Sequence, residues 1–273
     1  MLKDITLGQY FPGNSLLHKL DPRMKLVLSA FFIVLIFLAK SAPAYAAVLL
    51  FAVLIIALSG ISFGTVLKSL KPLFFVLIFT TLINVFWNHG GEVLWQWKFI
   101  TITEQGIIRA ITMALRIILL MASTSVILMY TTSPIALTDG LEQLLAPLAK
   151  IKVPVHTFAM MMTMALRFIP TLLEETQKII NAQKARGAEF DSGNMVAKAK
   201  ALIPVLIPLL ISQFRRAEEL ATAMECRCYR GGGGRTRMTI LRFSARDFVS
   251  AGAVVALFAG ILLMNYYFPA LIH

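Results

Sequence analysis

Five separated apolar runs, at residues 24–39, 43–58, 72–87, 107–130 and 248–271, constrain this chain more than any other feature. A helix needs about 20 apolar residues to cross a bilayer. Lipid offers no partner to backbone N–H and C=O groups, so such runs cross as helices. The first two are short and meet at Lys40 and Ser41, which predicts a tight hairpin. Trp95 and Trp97 follow the third run in a polar stretch, and indole rings suit the membrane interface. The 58% hydrophobic content and mean hydropathy of +0.77 agree with a membrane protein, since soluble domains sit near about 45–50% apolar.

The net charge is +12, an uncommon companion to such hydrophobicity. In a soluble protein it would point to nucleic acid. Here it points to cytoplasmic loops that face anionic lipid and an acidic partner, with no nucleic acid. With the N-terminus inside, 22 of the 26 lysines and arginines are cytoplasmic: four up to Lys25, then Lys68 and Lys71, then 16 from Lys150 to Arg246. Only Lys40 and Lys98 fall outside, and Arg109 and Arg116 lie within the fourth run. The positive-inside rule therefore predicts a cytoplasmic N-terminus and a C-terminus at His273 outside. The start of the chain does not read as a signal peptide, because charges precede the first apolar run. No acid lies within the expected spans to pair Arg116 or Arg109, although an intramembrane arginine needs a partner.

Residues 132–246 form a large insert between the fourth and last runs, too long to lack structure. Ser133-Pro134 reads as an N-cap with proline at the first helical position, opening a helix to about residue 146. Pro154 opens a second helix, expected over residues 155–185, about 45 Å long at 1.5 Å per residue. Asp191, Ser192, Gly193 and Asn194 then make a turn. A third helix is expected over residues 195–229, ending at the glycine run that begins at Gly231. Both long helices start apolar and turn charged, after Glu174 in one and after Ser212 in the other. In the charged part of the third, Arg215 and Glu219 stand at i,i+4. Each is expected to keep its apolar half near the membrane and to project its polar end into the cytosol. The alternative makes residues 155–173 and 202–214 two further spans. The first carries Arg167 and the second is too short.

Missing motifs exclude several classes. No G-x-x-x-x-G-K-[ST] loop occurs, so the chain is not expected to hydrolyse ATP unaided. Neither H-E-x-x-H nor G-x-S-x-G is present, so no catalytic residue is assigned. Cys226 and Cys228 are too close for a stabilising disulfide loop, and His18, His89, His156 and His273 are scattered, so no metal or cofactor is expected.

Two motifs repeat. Each long helix is expected to end on an arginine between small residues: Ala185-Arg186-Gly187 and Cys226-Arg227-Cys228. A guanidinium offers five donors to carboxylates, and small neighbours let a helix end enter a groove. Ordinary capping of a helix C-terminus by positive charge is the plainer explanation for either motif alone, worth about 0.3–1 kcal/mol; the repetition favours docking. Asp21-Pro22-Arg23 stands before the first span, either anchoring it to the insert or snorkelling at the interface. Met160, Met161, Met162 and Met164 crowd the second long helix, where thioethers suit a surface that accepts several partners; simple gap-filling explains them equally well.

With these residues in view, the chain resembles the transmembrane T components (EcfT) of energy-coupling factor transporters, prokaryotic importers of vitamins and metal ions. The resemblance covers nearly the whole chain and is carried by Tyr10-Phe-Pro-Gly-Asn-Ser15, Leu20-Asp-Pro-Arg23-Met-Lys25, Leu166-Arg-Phe-Ile-Pro170, Ala182-Gln-Lys-Ala-Arg-Gly187 and residues 223–232. It implies an all-α, roughly L-shaped polytopic membrane protein with about five transmembrane helices and three cytoplasmic coupling helices. Residues 1–131 would hold the first four spans, 132–246 the coupling helices and 247–273 the last span. It also implies two ABC ATPase subunits that receive Arg186 and Arg227, and a membrane-embedded S component that captures the substrate. The second arginine motif departs from the family's Ala-Arg-Gly pattern, and a glycine stop is lost there. Two other classes compete. A self-contained secondary transporter should show midplane ionisable residues and internal repeats, and a lipid-modifying enzyme should show clustered acids or histidines.

Overall fold

The computed structural model describes residues 10–87, 93–97, 100–188, 190, 194–231 and 241–268. Nine helices are described: α1 (Pro22–Leu38), α2 (Ala42–Ser59), α3 (Phe63–Leu70), α4 (Phe74–Trp87), α5 (Glu104–Thr124), α6 (Pro134–Leu145), α7 (Val155–Ala185), α8 (Met195–Cys226) and α9 (Ala245–Tyr267). An antiparallel pair of short strands, β1 (Val93–Trp97) and β2 (Ile100–Thr103), joins α4 to α5. Val, Trp, Ile and Thr dominate both strands, which explains why the segment around Trp95 pairs as a ribbon. The fold is otherwise all-α, as expected of a polytopic membrane protein.

Among the described residues five stretches are long and apolar enough to cross a membrane: Ala42–Ser59, Phe63–Trp87, Glu104–Tyr130, Val155–Ala185 and Ala245–Tyr267. Four coincide with expected spans. The first expected span, α1, has 17 residues, or about 25 Å. Asp21 and Pro22 start it and the turn before Ser41 ends it. By length and composition α7 joins the set, at a mean hydropathy of 1.2, the lowest of the five.

Contacts divide the described residues into two compact units. The larger holds residues 10–144 and 241–268, and its core is built where α1, α2, α5 and α9 meet. Phe32, Leu35, Ile36, Val48 and Ile261 are almost wholly buried there. Ala39, Ala44 and Ala52 allow the helices to approach closely. At the hairpin tip, Asn265 of α9 accepts from the Lys40 and Ser41 N–H groups and donates to the Leu38 carbonyl at 2.7 Å. That side chain supplies partners to backbone groups the short turn leaves unpaired. Beyond Thr124, α5 continues as a π-helical turn over Ser125–Tyr130. The loop Tyr10–Ser15 docks on its end: Phe11 N–H donates to the Tyr130 carbonyl at 3.0 Å, and the two rings meet edge to face.

The smaller unit holds residues 145–231 and consists chiefly of α7 and α8. The expected limits of α7 are met, and α6 opens as read, with Ala136 N–H donating to Ser133 Oγ at 3.2 Å. Helix α8 ends at Cys226, three residues before the expected Tyr229. The expected turn residues Asp191, Ser192 and Gly193, and the glycine run past Gly231, lie outside the described residues.

Candidate functional site

Both long helices stop by the same backbone device. At the end of α7, Gly187 N–H donates to the Lys184 carbonyl at 3.0 Å and Ala188 N–H reaches back to Gln183 at 3.0 Å. At the end of α8, Cys228 N–H donates to Glu225 at 2.8 Å and Tyr229 N–H reaches back to Met224 at 3.0 Å. These are two Schellman motifs in identical register. Ala185 matches Cys226, Arg186 matches Arg227 and Gly187 matches Cys228. The residue after each arginine is left-handed, Gly187 at φ 86° and Cys228 at φ 56°. The glycine is lost from the sequence at the second tip, but the stop is retained. Cys228 adopts the left-handed conformation that costs an L-residue about 1–2 kcal/mol, because the Met224 and Glu225 carbonyls of the last turn find donors when it does.

All six motif residues are exposed, and both cysteines carry free thiols. Among the described residues neither Arg186 nor Arg227 makes an ion pair. The two tips are not brought together. Gln183 Nε2 donates to the Pro204 carbonyl at 3.3 Å, whereas Glu175 meets Gln213 at 2.8 Å and pairs with Arg216. Contacts that rise along one helix fall along the other, so α7 and α8 pack antiparallel and their C-terminal tips lie at opposite ends. Glu175 precedes Arg186 by eleven positions and Arg216 precedes Arg227 by the same eleven. The ion pair thus stands midway, about 17 Å of helix from each arginine at 1.5 Å per residue. The helix halves beyond it contain no proline, whereas Pro170, Pro204 and Pro208 lie in the halves before it.

The Glu175–Arg216 pair is a feature the i,i+4 reading missed. Among the described residues Arg215 and Glu219 make no ion pair. Arg216, one position on, faces α7, where its guanidinium also lies 5.7 Å from the Phe168 ring. A carboxylate on a neighbouring helix cannot be found from spacing within one helix.

The methionines sit on the apolar half of α7, with Met161 and Met162 exposed and Met160 and Met164 half-buried. On α8, Leu206, Ile207, Leu210, Ile211 and Phe214 are between 53% and 70% exposed. An apolar face of this size marks a membrane or protein contact.

In the larger unit, Asp21-Pro22-Arg23 anchors α1 to two elements. A Cβ on Gly140 of α6 would lie 3.1 Å from Pro22, so glycine there permits close packing. The other element is α9: Asp247, 1% exposed, accepts from Asp21 N–H at 2.9 Å and from Ser244 N–H at 2.7 Å. Arg23 pairs with Asp21 at 3.1 Å, donates to the Leu241 carbonyl and stacks on Phe243. Lys25, also buried, donates to the Thr131 carbonyl at 2.8 Å and to Thr132. By sequence Lys25 was named only as the end of a motif and Asp247 was not named, although a charge in the first turn of an apolar helix, beside Arg23 in α1 and Arg246 in α9, was the available signal. Arg116 has a partner that is not an acid: it donates to Tyr45 Oη at 2.6 Å and lies over the Phe37 and Tyr45 rings.

A family model described as cobalt transport protein (CbiQ) matches residues 13–240. The energy-coupling factor transporter transmembrane protein EcfT of Ruminiclostridium cellulolyticum is 56% identical over 268 residues, covering 98% of this chain and 100% of that relative. The protein of the same name from Acidaminococcus fermentans is 52% identical, over 99% of this chain and 100% of its own length. The one from Bacillus subtilis is 44% identical, over 90% and 93%.

Proposed function

The chain belongs to the CbiQ family, as an EcfT-type energy-coupling transmembrane component of energy-coupling factor transporters, and from that premise we propose that its two arginine-tipped helices each dock one ABC ATPase. Arg186 and Arg227 enter acidic grooves on the two ATPases, with Ala185, Gly187, Cys226 and Cys228 small enough to let each helix end seat. The observation that supports this most is the pair of identical helix stops at opposite ends of α7 and α8, each presenting an exposed guanidinium. One charged helix end is ordinary capping. Two in the same register suit two related partners.

ATP hydrolysis by the partners moves the tips toward or away from each other. The packed pair α7–α8 carries that motion to its exposed apolar faces, where Met160, Met161, Met162 and Met164 meet a membrane-embedded S component that holds the vitamin or metal ion. This chain is the coupling element and does no chemistry itself. The excess of lysine and arginine on one side supports a cytoplasmic N-terminus and an external C-terminus.

The test is purification of the tagged chain in mild detergent from cells that carry its partners. Two ABC ATPases should accompany the wild type and be absent from the Arg186→Glu, Arg227→Glu double variant. ATPases retained by the double variant overturn the docking role. Leucine in place of the four methionines should weaken some S-component pairings more than others; equal effects on all would remove the methionines from the reading.

A further inference from the structure

A groove of about 390 Å³ runs along the N-terminal half of α9, between it, α1, α2 and the leucines that precede α1. Its walls are aliphatic, formed by Leu20, Leu28, Leu54, Leu58, Val249 and Ala253 among others. Phe32 and Phe51, rings 5.6 Å apart, close the inner end. Arg246 stands at the other end, exposed and without an ion pair among the described residues. The remaining polar groups of the wall are engaged: Lys25 Nζ donates to Thr131 and Thr132, and Ser250 Oγ donates to the Asp247 carbonyl. The Asp247 carboxylate is turned inward to Asp21 and Ser244 and does not neutralise its neighbour.

We propose that this groove is a lipid site, in which one acyl chain of an anionic phospholipid lies along α9 with its phosphate on Arg246. From Ala245 to Val254 the helix rises about 14 Å, close to one leaflet of a hydrocarbon core about 30 Å thick. The aliphatic lining disfavours a peptide occupant. An extended peptide would set unpaired N–H and C=O groups against an aliphatic wall. An arginine in the first turn of a helix faces an unfavourable dipole; a phosphate beside it reverses the sign, because helix N-termini attract phosphate. Charge selects the headgroup. Arg242 is exposed nearby in sequence, and both carboxylates of this region, Asp21 and Asp247, are buried. The mouth therefore attracts a net negative headgroup and offers nothing to a choline.

The site is independent of the ATPases, so its test leaves the docking reading untouched. The full chain, delipidated in detergent, is titrated with phosphatidylglycerol or phosphatidylcholine and bound lipid is counted by native mass spectrometry. One phosphatidylglycerol should be retained about fivefold more tightly than phosphatidylcholine, the value of one cation near a headgroup. Arg246→Gln should erase that preference. Ala253→Trp, which fills the groove, should remove the bound lipid, and Leu54→Trp from the opposite wall repeats the test in a second fold context. Equal retention of the two lipids, a preference that survives Arg246→Gln, or lipid that survives both tryptophans would each overturn the proposal.

Discussion

The tips of α7 and α8 differ in two of three letters and share one geometry. Ala185-Arg186-Gly187 uses glycine where the backbone turns left-handed, and Cys226-Arg227-Cys228 uses a cysteine at the same position. The hydrogen bonds that close the two ends correspond donor for donor. What the motif conserves within this chain is therefore a backbone path that holds an arginine at the last turn. The glycine lowers the strain of that path without defining it. The second tip tolerates about 1–2 kcal/mol of local strain, which places stored energy beside Arg227 and none beside Arg186.

The largest consequence concerns docking. If the two ends are equivalent, Arg186→Glu and Arg227→Glu should each cost binding of its own ATPase by at least about 30-fold, since removing one partner of a buried charge pair costs about 2–5 kcal/mol. Affinity of each single variant for the purified ATPase pair measures this. A gap of more than about tenfold between the variants, a difference of 1.4 kcal/mol, would show that the strained tip is the lesser anchor.

How far the sequence could see follows the same division. Hydropathy located four of the five membrane-length stretches, because a lipid-facing helix must be apolar along its length. Proline and serine located the starts of α6 and α7, because their effects are local. The Arg186 tip was legible since glycine announces a left-handed residue. The Arg227 tip was legible as an arginine motif but not as a stop, since cysteine carries no such signal. Short α3 was invisible within an apolar loop. The partners of Arg116, Arg216 and Asp21 were invisible for one reason: each lies on another helix, at Tyr45, Glu175 and Asp247, 71, 41 and 226 positions away in sequence. Tertiary pairing of polar groups leaves no periodic trace.

A smaller effect tests whether the tips act as one device. Glu175–Arg216 stands eleven residues from each arginine and joins the two helices. The side chains are 22% and 26% exposed, so solvent screens the pair only in part. Glu175→Ala should cost about 1.5–2 kcal/mol, the lower end of the range for a hydrogen bond to a charged group, read by thermal unfolding in detergent. Amide hydrogen exchange should quicken at the ends of both α7 and α8 by similar factors. Quickening at one end alone would mean that each tip is braced separately.

The smallest effect isolates the cysteine. A Cβ added at Gly187 meets nothing within 4 Å, so Gly187→Cys changes backbone strain and no packing. It should destabilise the end of α7 by about 1 kcal/mol, and Cys228→Gly should stabilise the end of α8 by a similar amount. The sensitive probes are the N–H groups of Ala188 and Tyr229, which close the two motifs. Their exchange should change about fivefold in opposite directions, while affinity for the ATPases stays within about threefold, under 1 kcal/mol. The double swap should then exchange the two exchange rates without altering the sum of local stabilities. If Cys228→Gly instead loosens the end of α8, the thiol holds that turn by a contact stronger than the strain it bears. The two tips would then be alike in path and unlike in what keeps them there.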